Sequence, residues 1–434
     1  MNATRALAHL EKSRDRHDAA SAGIKLEWLA QLQRADFQRA SQVLRLHELL
    51  CWLRAYPEDA QVLRRVERIL AGFARRKDLY RHRHALADSG IAGMAINYPF
   101  FWSTARWLVR RWPTQIHLNR DDQVARGKLR VALPKLLTAQ EKSRLAKSGL
   151  DTFAAIDRLR GRMSDASWLI RRVTVMPGDD FNHETFYDDL EPWCVFAAAS
   201  GTPSRTTAWH KIQPPVFQKT ALRKTRPDLR EQLHHAARKL QRVSPKAGEQ
   251  LLELARGAML MRHRDLDAFA YGDPRDVRVV HDANGLSFGI SSLLPERQKT
   301  GPEIHGYLML QNGVPLGYGE LGISGRRTAI SFNVFETFRG GETAWLFARM
   351  LAVVRQLFRV DSFTLDAYQL GKNNDEAIVS GAWWFYYKLG FRPRSAAAQR
   401  VLRAEQKRMR AKPDHRSSAM TLRKLAESPM VWRA

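Results

Sequence analysis

Residues 307–321 read YLMLQNGVPLGYGEL, in which two apolar runs flank Asn312-Gly313. Asn-Gly is favoured in type I′ turns, because both central residues of that turn have a positive φ. Each flanking run is short and rich in aliphatic and aromatic residues, as buried strands are. The segment therefore predicts a β-hairpin with strands over Ile304–Leu310 and Val314–Leu321.

Strand and helix patterns alternate on both sides of this hairpin. An earlier strand is predicted at Val277–Val280. After the hairpin the apolar periodicity predicts the order strand, helix, strand, helix, in the segments Thr328–Phe335, Glu342–Phe358, Ser362–Ala367 and Asp375–Leu389. A hairpin followed by strand–helix–strand units predicts an α/β fold with a mixed (α+β) sheet.

The chain before this module is predicted to be mainly helical. Apolar residues recur every three or four positions over Leu26–Ala55, which predicts one amphipathic helix, and a second helix follows to about Arg76. Further on, Leu169–Val175 and Trp193–Ala199 are short apolar runs typical of strands, and Leu222–Val243 is predicted as a basic helix.

These patterns divide the chain into four parts. We expect a helical N-terminal domain (1–175), a mixed and basic connecting region (176–270), the α/β module (271–393) and a basic helical tail (394–434).

The chain carries 71 Lys and Arg against 44 Asp and Glu, a net charge of +27. Residues 271–391 are neutral, with 12 residues of each sign. The excess lies on both flanks, which makes nucleic acid a candidate partner.

Composition excludes several classes of protein. The first twenty residues are charged throughout, unlike a signal peptide, and no apolar stretch is long enough to span a membrane. Two cysteines, Cys51 and Cys194, are too few for a disulfide framework or a thiolate metal site. The acidic segment 179–191 lacks the spacing of a metal-binding loop and predicts ion pairs with the protein's own arginines. We therefore expect a cytoplasmic protein of bacterial type, without a membrane span or a metal site.

Two segments after the hairpin carry a family pattern. One is Phe338-Arg-Gly-Gly-Glu-Thr-Ala344, between a predicted strand and a predicted helix, and the other is Ala382-Trp-Trp-Phe-Tyr-Tyr-Lys-Leu-Gly-Phe391. The first is similar to the pyrophosphate loop Gln/Arg-x-x-Gly-x-Gly/Ala of the GNAT superfamily of N-acyltransferases. The second resembles the last helix of that family, with its Tyr-x-Lys-x-Gly-Phe ending. Together with the hairpin, the resemblance covers residues 275–393.

The resemblance implies an acyltransferase that moves an acyl group from acetyl-coenzyme A, or another acyl-coenzyme A, to an amine of an unknown acceptor. It implies that the coenzyme A pyrophosphate binds at the helix start, where backbone N–H groups favour anions, on Arg339, Gly340, Gly341, Thr343 and Ala344.

Two catalytic residues follow from the same resemblance. Counting back from Gly390-Phe391 places Tyr386 where family members have the general acid that protonates the departing thiolate. Glu336 is the carboxylate nearest to the end of the strand before the loop, the position of a general base. The implied reaction is direct attack of an amine on a thioester, with backbone amides polarising the carbonyl.

Departures from the family pattern leave alternatives open. Glu342 replaces a glycine of the loop, so its carboxylate is expected to meet the pyrophosphate or, instead, to satisfy the helix start. The family's final strand is not visible in the helical tail.

Two alternative functions therefore remain open. One is a noncatalytic GNAT-fold protein that binds RNA, DNA or a protein partner, and the other is a transferase that uses aminoacyl-tRNA as donor. Residues 204–211, rich in hydroxyls, an aromatic and cations, are a further candidate for contact with phosphates and bases.

Overall fold

The structure is a computed structural model that describes residues 3–17, 19–210 and 214–434. Lys211, in the segment singled out above, lies outside the described residues. Five helices come first along the chain: α1 Ala3–Ser13, α2 Ala19–Arg34, α3 Ala40–Ala55, α4 Ala60–Ala71 and α5 Lys77–Arg81.

The next hundred residues form a small three-stranded sheet among helices. Its strands are in the order β1, β3, β2, and both pairings are antiparallel. In chain order the elements are β1 Ile96–Tyr98, α6 Trp102–Arg111, β2 Ile116–Leu118, α7 Gln123–Ala132, α8 Ala139–Ala146, α9 Thr152–Leu159, α10 Asp165–Thr174, α11 Asp180–Leu190 and β3 Cys194–Phe196.

One mixed sheet contains ten strands: β4 Lys239–Arg242, β5 Gly272–His281, β6 Leu286–Leu293, β7 Glu303–Gln311, β8 Val314–Ser324, β9 Arg327–Ile330, β10 Asn333–Val334, β11 Ser362–Leu365, β12 Arg392–Pro393 and β13 Met430–Arg433. The order in space is β12-β13-β11-β9-β8-β7-β6-β5-β4, and β10 pairs with β8. Among the described strands of this sheet, only the pairing of β9 with β11 is parallel. The predicted α/β class, with a helical N-terminal region and a mixed sheet, is confirmed.

The remaining helices lie between or after these strands. They are α12 Leu229–His234, α13 Pro245–Leu260, α14 Asp267–Ala270, α15 Thr343–Phe358, α16 Ala367–Leu370, α17 Asp375–Ser380, α18 Ala382–Lys388, α19 Ala396–Ala411 and α20 Ala419–Ala426. Two of them, α19 and α20, separate β12 from β13, although these strands are paired. The last strand therefore lies after the helical tail, where the sequence pattern did not reveal it.

Buried hydrophobic side chains form two clusters. The larger one joins α1–α5 to the ten-stranded sheet and its helices, with members from Ala6 to Met94 and from Leu222 to Trp432. The smaller one lies within residues 96–196 and is completed by Leu260 and Met261. The first helices thus share a core with the sheet, which brings α3 behind the loop that precedes α15. The four-part division of the chain stays a prediction.

The predicted hairpin is confirmed. Asn312 and Gly313 have φ values of 48° and 79°, as a type I′ turn requires. A Cβ atom on Gly313 would lie 1.7 Å from the carbonyl oxygen of His210, so only glycine fits there. The Asn312 side chain is buried, and its amide donates to the carbonyl oxygens of Ala55 (2.9 Å) and Val216 (3.0 Å). The turn is therefore tied to α3 as well as to the sheet.

Three predicted helices differ from the structure in their extent or continuity. The helix predicted over residues 26–55 is broken between α2 and α3. There Asp78 accepts a hydrogen bond from the N–H of Phe37 (3.0 Å), and Arg76 donates to the carbonyl oxygen of Ala35 (2.7 Å). The prediction of a basic helix over 222–243 was wrong for most of the segment. The structure has only the short helix α12 and the strand β4 there. The helix predicted over 375–389 is split into α17 and α18 by Gly381, with φ +68°.

Of the two short apolar runs predicted to be strands, one is a helix in the structure. Residues 169–175 belong mostly to α10, which begins after Ser164, whose hydroxyl accepts the N–H of Ser167 (3.1 Å). The run is apolar because Leu169, Ile170 and Val173 are buried in the smaller cluster. The other run, 193–199, contains β3 as predicted.

Candidate active site

The two parallel strands of the sheet separate at their carboxyl ends. The pairing of β11 with β9 extends only from Ser362 to Thr364. Ser331 and Phe332 then interrupt the strand, which continues as β10 and pairs with β8 alone. At this interruption Ser331 exchanges two hydrogen bonds with Glu320, from Ser331 N–H to the Glu320 carbonyl (2.9 Å) and from Glu320 N–H to Ser331 Oγ (2.8 Å). An opening beyond the carboxyl ends of parallel strands is a common place for ligands.

The opening is a cleft of about 360 Å³, here called the splayed-strand cleft. Its lining residues include Phe332, Asn333 and Val334 at the interruption, together with Gln369 and Tyr386. Its volume lies within the range that binds organic ligands. The cleft therefore has the size and position of a substrate site.

Tyr386 lines the splayed-strand cleft from α18. The residue is 2% exposed, and burial raises the pKa of its phenol above the ordinary value. Nε2 of Gln369 donates to its hydroxyl oxygen (3.1 Å) and to the carbonyl of Phe332 (2.9 Å). Because the phenol oxygen accepts from Gln369, its own proton remains available to another acceptor. At neutral pH this group is a proton donor, as a general acid must be.

The predicted pyrophosphate loop lies at the mouth of the same cleft. Arg339, Gly340 and Thr343 line the cleft. Gly340 has φ +76°, and a side chain there would meet no atom within 4 Å, so its backbone faces open space. The buried hydroxyl oxygen of Thr343 has no hydrogen-bond partner among the described residues. Since the first N–H groups of an α-helix have no partner within the helix, the start of α15 suits an anion.

The other two loop residues lie behind the cleft. A Cβ atom on Gly341 would be 3.1 Å from the Trp52 ring, which stacks on Phe338 with a centroid distance of 6.0 Å. Ala344 is partly buried against the larger hydrophobic cluster. Helix α3, which carries Trp52, therefore supports the loop from behind.

Glu342 is turned away from the splayed-strand cleft. The residue is 6% exposed, and its carboxylate accepts a hydrogen bond from the N–H of Arg223 (2.9 Å). Burial raises the pKa of this carboxyl above its ordinary value. The side chain makes no capping hydrogen bond to α15. The expectation that Glu342 caps the helix was wrong, because its carboxylate accepts a hydrogen bond from a distant backbone N–H instead. That Glu342 meets the pyrophosphate stays a prediction.

Glu336 lines a second, smaller cleft of about 270 Å³. Four arginines surround this space, and we call it the arginine cleft; they are Arg205, Arg262, Arg264 and Arg339. Glu336 is exposed, and the structure does not bring it into the splayed-strand cleft with Tyr386. The two clefts nevertheless adjoin, since Asn333, Val334, Arg339 and Glu376 line both.

An ion-pair bridge lies at the boundary between the two clefts. The carboxylate of Glu376 accepts from Arg264 (2.8 Å) and from Arg339. Hydrogen bonds from these two guanidinium groups are the main reason that the pKa of Glu376 is lowered. Glu376 thus stays ionised and holds Arg339 at the mouth of the splayed-strand cleft.

The sequence did not single out most residues of the arginine cleft. The segment 263–266 reads His-Arg-Asp-Leu, which imitates a protein-kinase motif without its other parts. The structure places Arg262, His263 and Arg264 on the cleft wall. Three basic residues in succession at the end of an apolar helix were the available signal, but their neighbours come from distant parts of the chain.

A third cleft, here called the wide cleft, is lined by residues of both hydrophobic clusters. It has a volume of about 800 Å³, and Trp112, Trp209, Arg75 and Arg111 are among its lining residues. Arg111 pairs with Glu253 across it (3.2 Å). Four residues of the segment 204–211 line this cleft, namely Ser204, Thr207, Trp209 and His210.

Comparison of the chain with profiles of known families, with characterised proteins and with solved structures found no match. Among the described residues, no helix is both long and apolar enough to cross a membrane. The same residues contain no group of three or more metal-ligating side chains.

Proposed function

We propose that the protein is a GNAT-like acyltransferase that moves an acyl group from acyl-coenzyme A to an amine. The observation that carries this proposal is the position of the Tyr386 hydroxyl. It is buried beside the splayed parallel strands, in a cleft whose mouth is the glycine-containing start of α15. A proton donor and an anion-binding helix end in one cleft are the two groups that a thioester with a pyrophosphate tail needs.

Each residue has a role in this reaction. The start of α15, with Arg339, Gly340 and Thr343, binds the pyrophosphate. The amine forms a bond with the thioester carbonyl carbon, and the carbon–sulfur bond breaks. Tyr386 gives its proton to the departing thiolate. The amine loses a proton to Glu336, directly or through water, from the arginine-cleft side of Asn333 and Val334.

Calorimetric titration with acetyl-coenzyme A tests the donor site. Gly340→Asp places a carboxylate at the anion-binding end and should raise the Kd at least about tenfold by repulsion of the pyrophosphate. Gly149→Asp is the matched control, since Gly149 also has a positive φ (+65°) and open space at its Cβ position. Asp tolerates this backbone region better than most residues. Absence of binding by the unaltered protein at millimolar acetyl-coenzyme A contradicts the proposal.

A second function, binding of single-stranded nucleic acid, is favoured by the wide cleft. Partly exposed Trp112 and the guanidinium groups of Arg75 and Arg111 combine a stacking face with phosphate-binding cations. Under this alternative, a fluorescent single-stranded RNA binds with an affinity that falls steeply with salt, and Trp112→Ala weakens it. Binding of acetyl-coenzyme A without RNA binding rejects the alternative.

A further inference from the structure

Arg262 differs from the other arginines of the arginine cleft. Arg205 pairs with Glu48 (2.5 Å), and Arg264 and Arg339 share Glu376. Within residues 3–17, 19–210 and 214–434, no carboxylate lies within salt-bridge distance of Arg262. Its guanidinium donates to the carbonyl oxygen of Ala258 (2.7 Å), in the preceding turn of the chain.

The environment of Arg262 is unfavourable for a cation without a counter-ion. Its guanidinium lies 3.8 Å from the centroid of the buried Phe335 ring, which removes water from one face. Burial and the neighbouring Arg205 lower the pKa of Arg262 from its ordinary value. A desolvated charge is costly unless it is paired. An anion from outside the chain would relieve this cost, and the partly exposed side chain lines the cleft that would admit it.

A carboxylate or phosphate is the anion that fits. The planar guanidinium presents parallel N–H groups that match two oxygens of either group. The cleft volume of about 270 Å³ lies below the range of drug-sized pockets, so its occupant has about the size of an amino acid.

The position of the arginine cleft indicates which reactant enters it. Its lining residues Asn333 and Val334 also line the splayed-strand cleft, which contains Tyr386. An occupant held by its oxyanion on Arg262 can extend an amine toward these two residues. Glu336, the base of the proposed reaction, lines the same cleft. We propose that Arg262 binds the oxyanion of the acceptor, which is a small amine that carries a carboxylate or a phosphate; this inference rests on the proposed acyl transfer.

The test compares acceptors that differ only in the oxyanion. Release of coenzyme A from acetyl-coenzyme A is measured with the pairs L-leucine and isoamylamine, L-phenylalanine and phenethylamine, and O-phosphoethanolamine and ethylamine. At least one oxyanion-bearing amine should exceed its partner about tenfold or more in kcat/KM. The amino-acid pairs and the phosphate pair distinguish the two kinds of oxyanion.

Arg262→Met retains an unbranched side chain over Phe335 and removes the charge. We expect it to raise the KM for the oxyanion-bearing amine by about 10- to 100-fold, as loss of a charge-assisted hydrogen bond does, and to leave the Kd for acetyl-coenzyme A unchanged. Arg262→Lys should recover part of the affinity. The matched control is Arg256→Met on α13, the helix that ends two residues before Arg262; Arg256 pairs with Glu249 (2.8 Å) outside both clefts.

Thermal unfolding separates binding from a structural role. Removing a cation that is partly buried and has no carboxylate partner should leave the Tm of Arg262→Met equal to or above that of the unaltered protein. Removing a paired one should lower the Tm of Arg256→Met. A lower Tm for Arg262→Met with unchanged acceptor preference overturns the inference.

Direct calorimetry keeps this inference distinguishable from the proposed function. L-Leucine and O-phosphoethanolamine are titrated into both proteins without donor. Acyl transfer that ignores the oxyanion, or equal binding of these probes to the unaltered protein and to Arg262→Met, overturns the role of Arg262 and leaves the acyltransferase proposal standing. Failure of acetyl-coenzyme A to bind overturns acyl transfer and the acceptor role together, whereas probe binding lost in Arg262→Met still identifies an oxyanion site.

Discussion

Gln369 donates a hydrogen bond to the hydroxyl oxygen of Tyr386 at 3.1 Å, and the same amide group donates to the carbonyl of Phe332. Gln369 thus connects α16, which follows β11, to the backbone where β9 and β10 are interrupted. The amide fixes the phenol oxygen as an acceptor and directs the phenol proton elsewhere. The splayed strands and the proton donor are therefore positioned by one side chain.

Tyr386→Phe should lower the turnover of acyl transfer by about 100-fold or more, because general acid catalysis contributes factors of this order. The Kd for acetyl-coenzyme A should change little, since the ring remains in place. Tyr387→Phe is the matched control. Tyr387 is the next residue on α18, and its hydroxyl accepts from Gln406 (2.7 Å) outside the cleft. Equal turnover for Tyr386→Phe and the unaltered protein would remove Tyr386 from the mechanism.

Replacements of Glu342 should affect stability and leave donor binding unchanged. Glu342→Gly removes the acceptor for the Arg223 N–H and should lower the free energy of unfolding by about 1–3 kcal/mol. Glu342→Gln keeps an acceptor oxygen and removes a charge that burial disfavours, so it should be at least as stable as the unaltered protein at neutral pH. Urea unfolding and acetyl-coenzyme A calorimetry check these outcomes. Tighter donor binding by Glu342→Gly would show that the carboxylate reaches the pyrophosphate.

Local patterns predicted the elements whose partners lie close in sequence. The hairpin at Asn312-Gly313 and helix α15 were visible because a turn dipeptide and a periodic apolar run carry their own signal. The last strand was not, since α19 and α20 separate β13 from β12. The break after α2 was also invisible, because Asp78 supplies the acceptor for the Phe37 N–H.

The candidate site shows the same limit. Tyr386 and the loop residues were found through a motif, and the structure places Tyr386, Arg339, Gly340 and Thr343 in one cleft. The direction of the Glu342 side chain depends on Arg223, more than a hundred residues earlier. Arg262 has no carboxylate partner in the described chain. This could not be predicted, because its neighbours in space come from several distant parts of the sequence.

The turn residue Asn312 should contribute strongly to stability. Besides its two donated hydrogen bonds, its side-chain oxygen accepts from the N–H of Val216 (2.9 Å). Asn312→Gly retains freedom for a positive φ and should lower the free energy of unfolding by at least about 2 kcal/mol, because buried partners lose their hydrogen bonds. Asn312→Ala should cost more, since alanine also disfavours this backbone region. Equal stability of Asn312→Gly and the unaltered protein in urea would contradict this account.

Two carboxylates at the start of α6 have raised pKa values. Asp188 accepts the N–H of Trp102 (2.9 Å), and Asp265 accepts the N–H of Phe101 (3.3 Å) and the hydroxyl of Thr104. Burial is the main cause, and nearby carboxylates add to it, so that the pKa of each is about 6. The helix start therefore depends on groups that hold protons more tightly in the folded state.

The sign of the pH dependence follows from this difference. An unfolded chain has an aspartate pKa near about 3.9, so the folded protein binds more protons at these sites between about pH 4 and pH 6. Their contribution to stability is complete below about pH 4 and is lost as the pH rises through about 6. Asp188→Asn keeps an oxygen for the Trp102 N–H and removes one titrating group. The Tm of the unaltered protein minus that of Asp188→Asn should therefore fall between pH 4 and pH 6 and level off above about pH 7. A difference in Tm that stays constant over this range, or that rises with pH, would show that burial does not raise the pKa of Asp188.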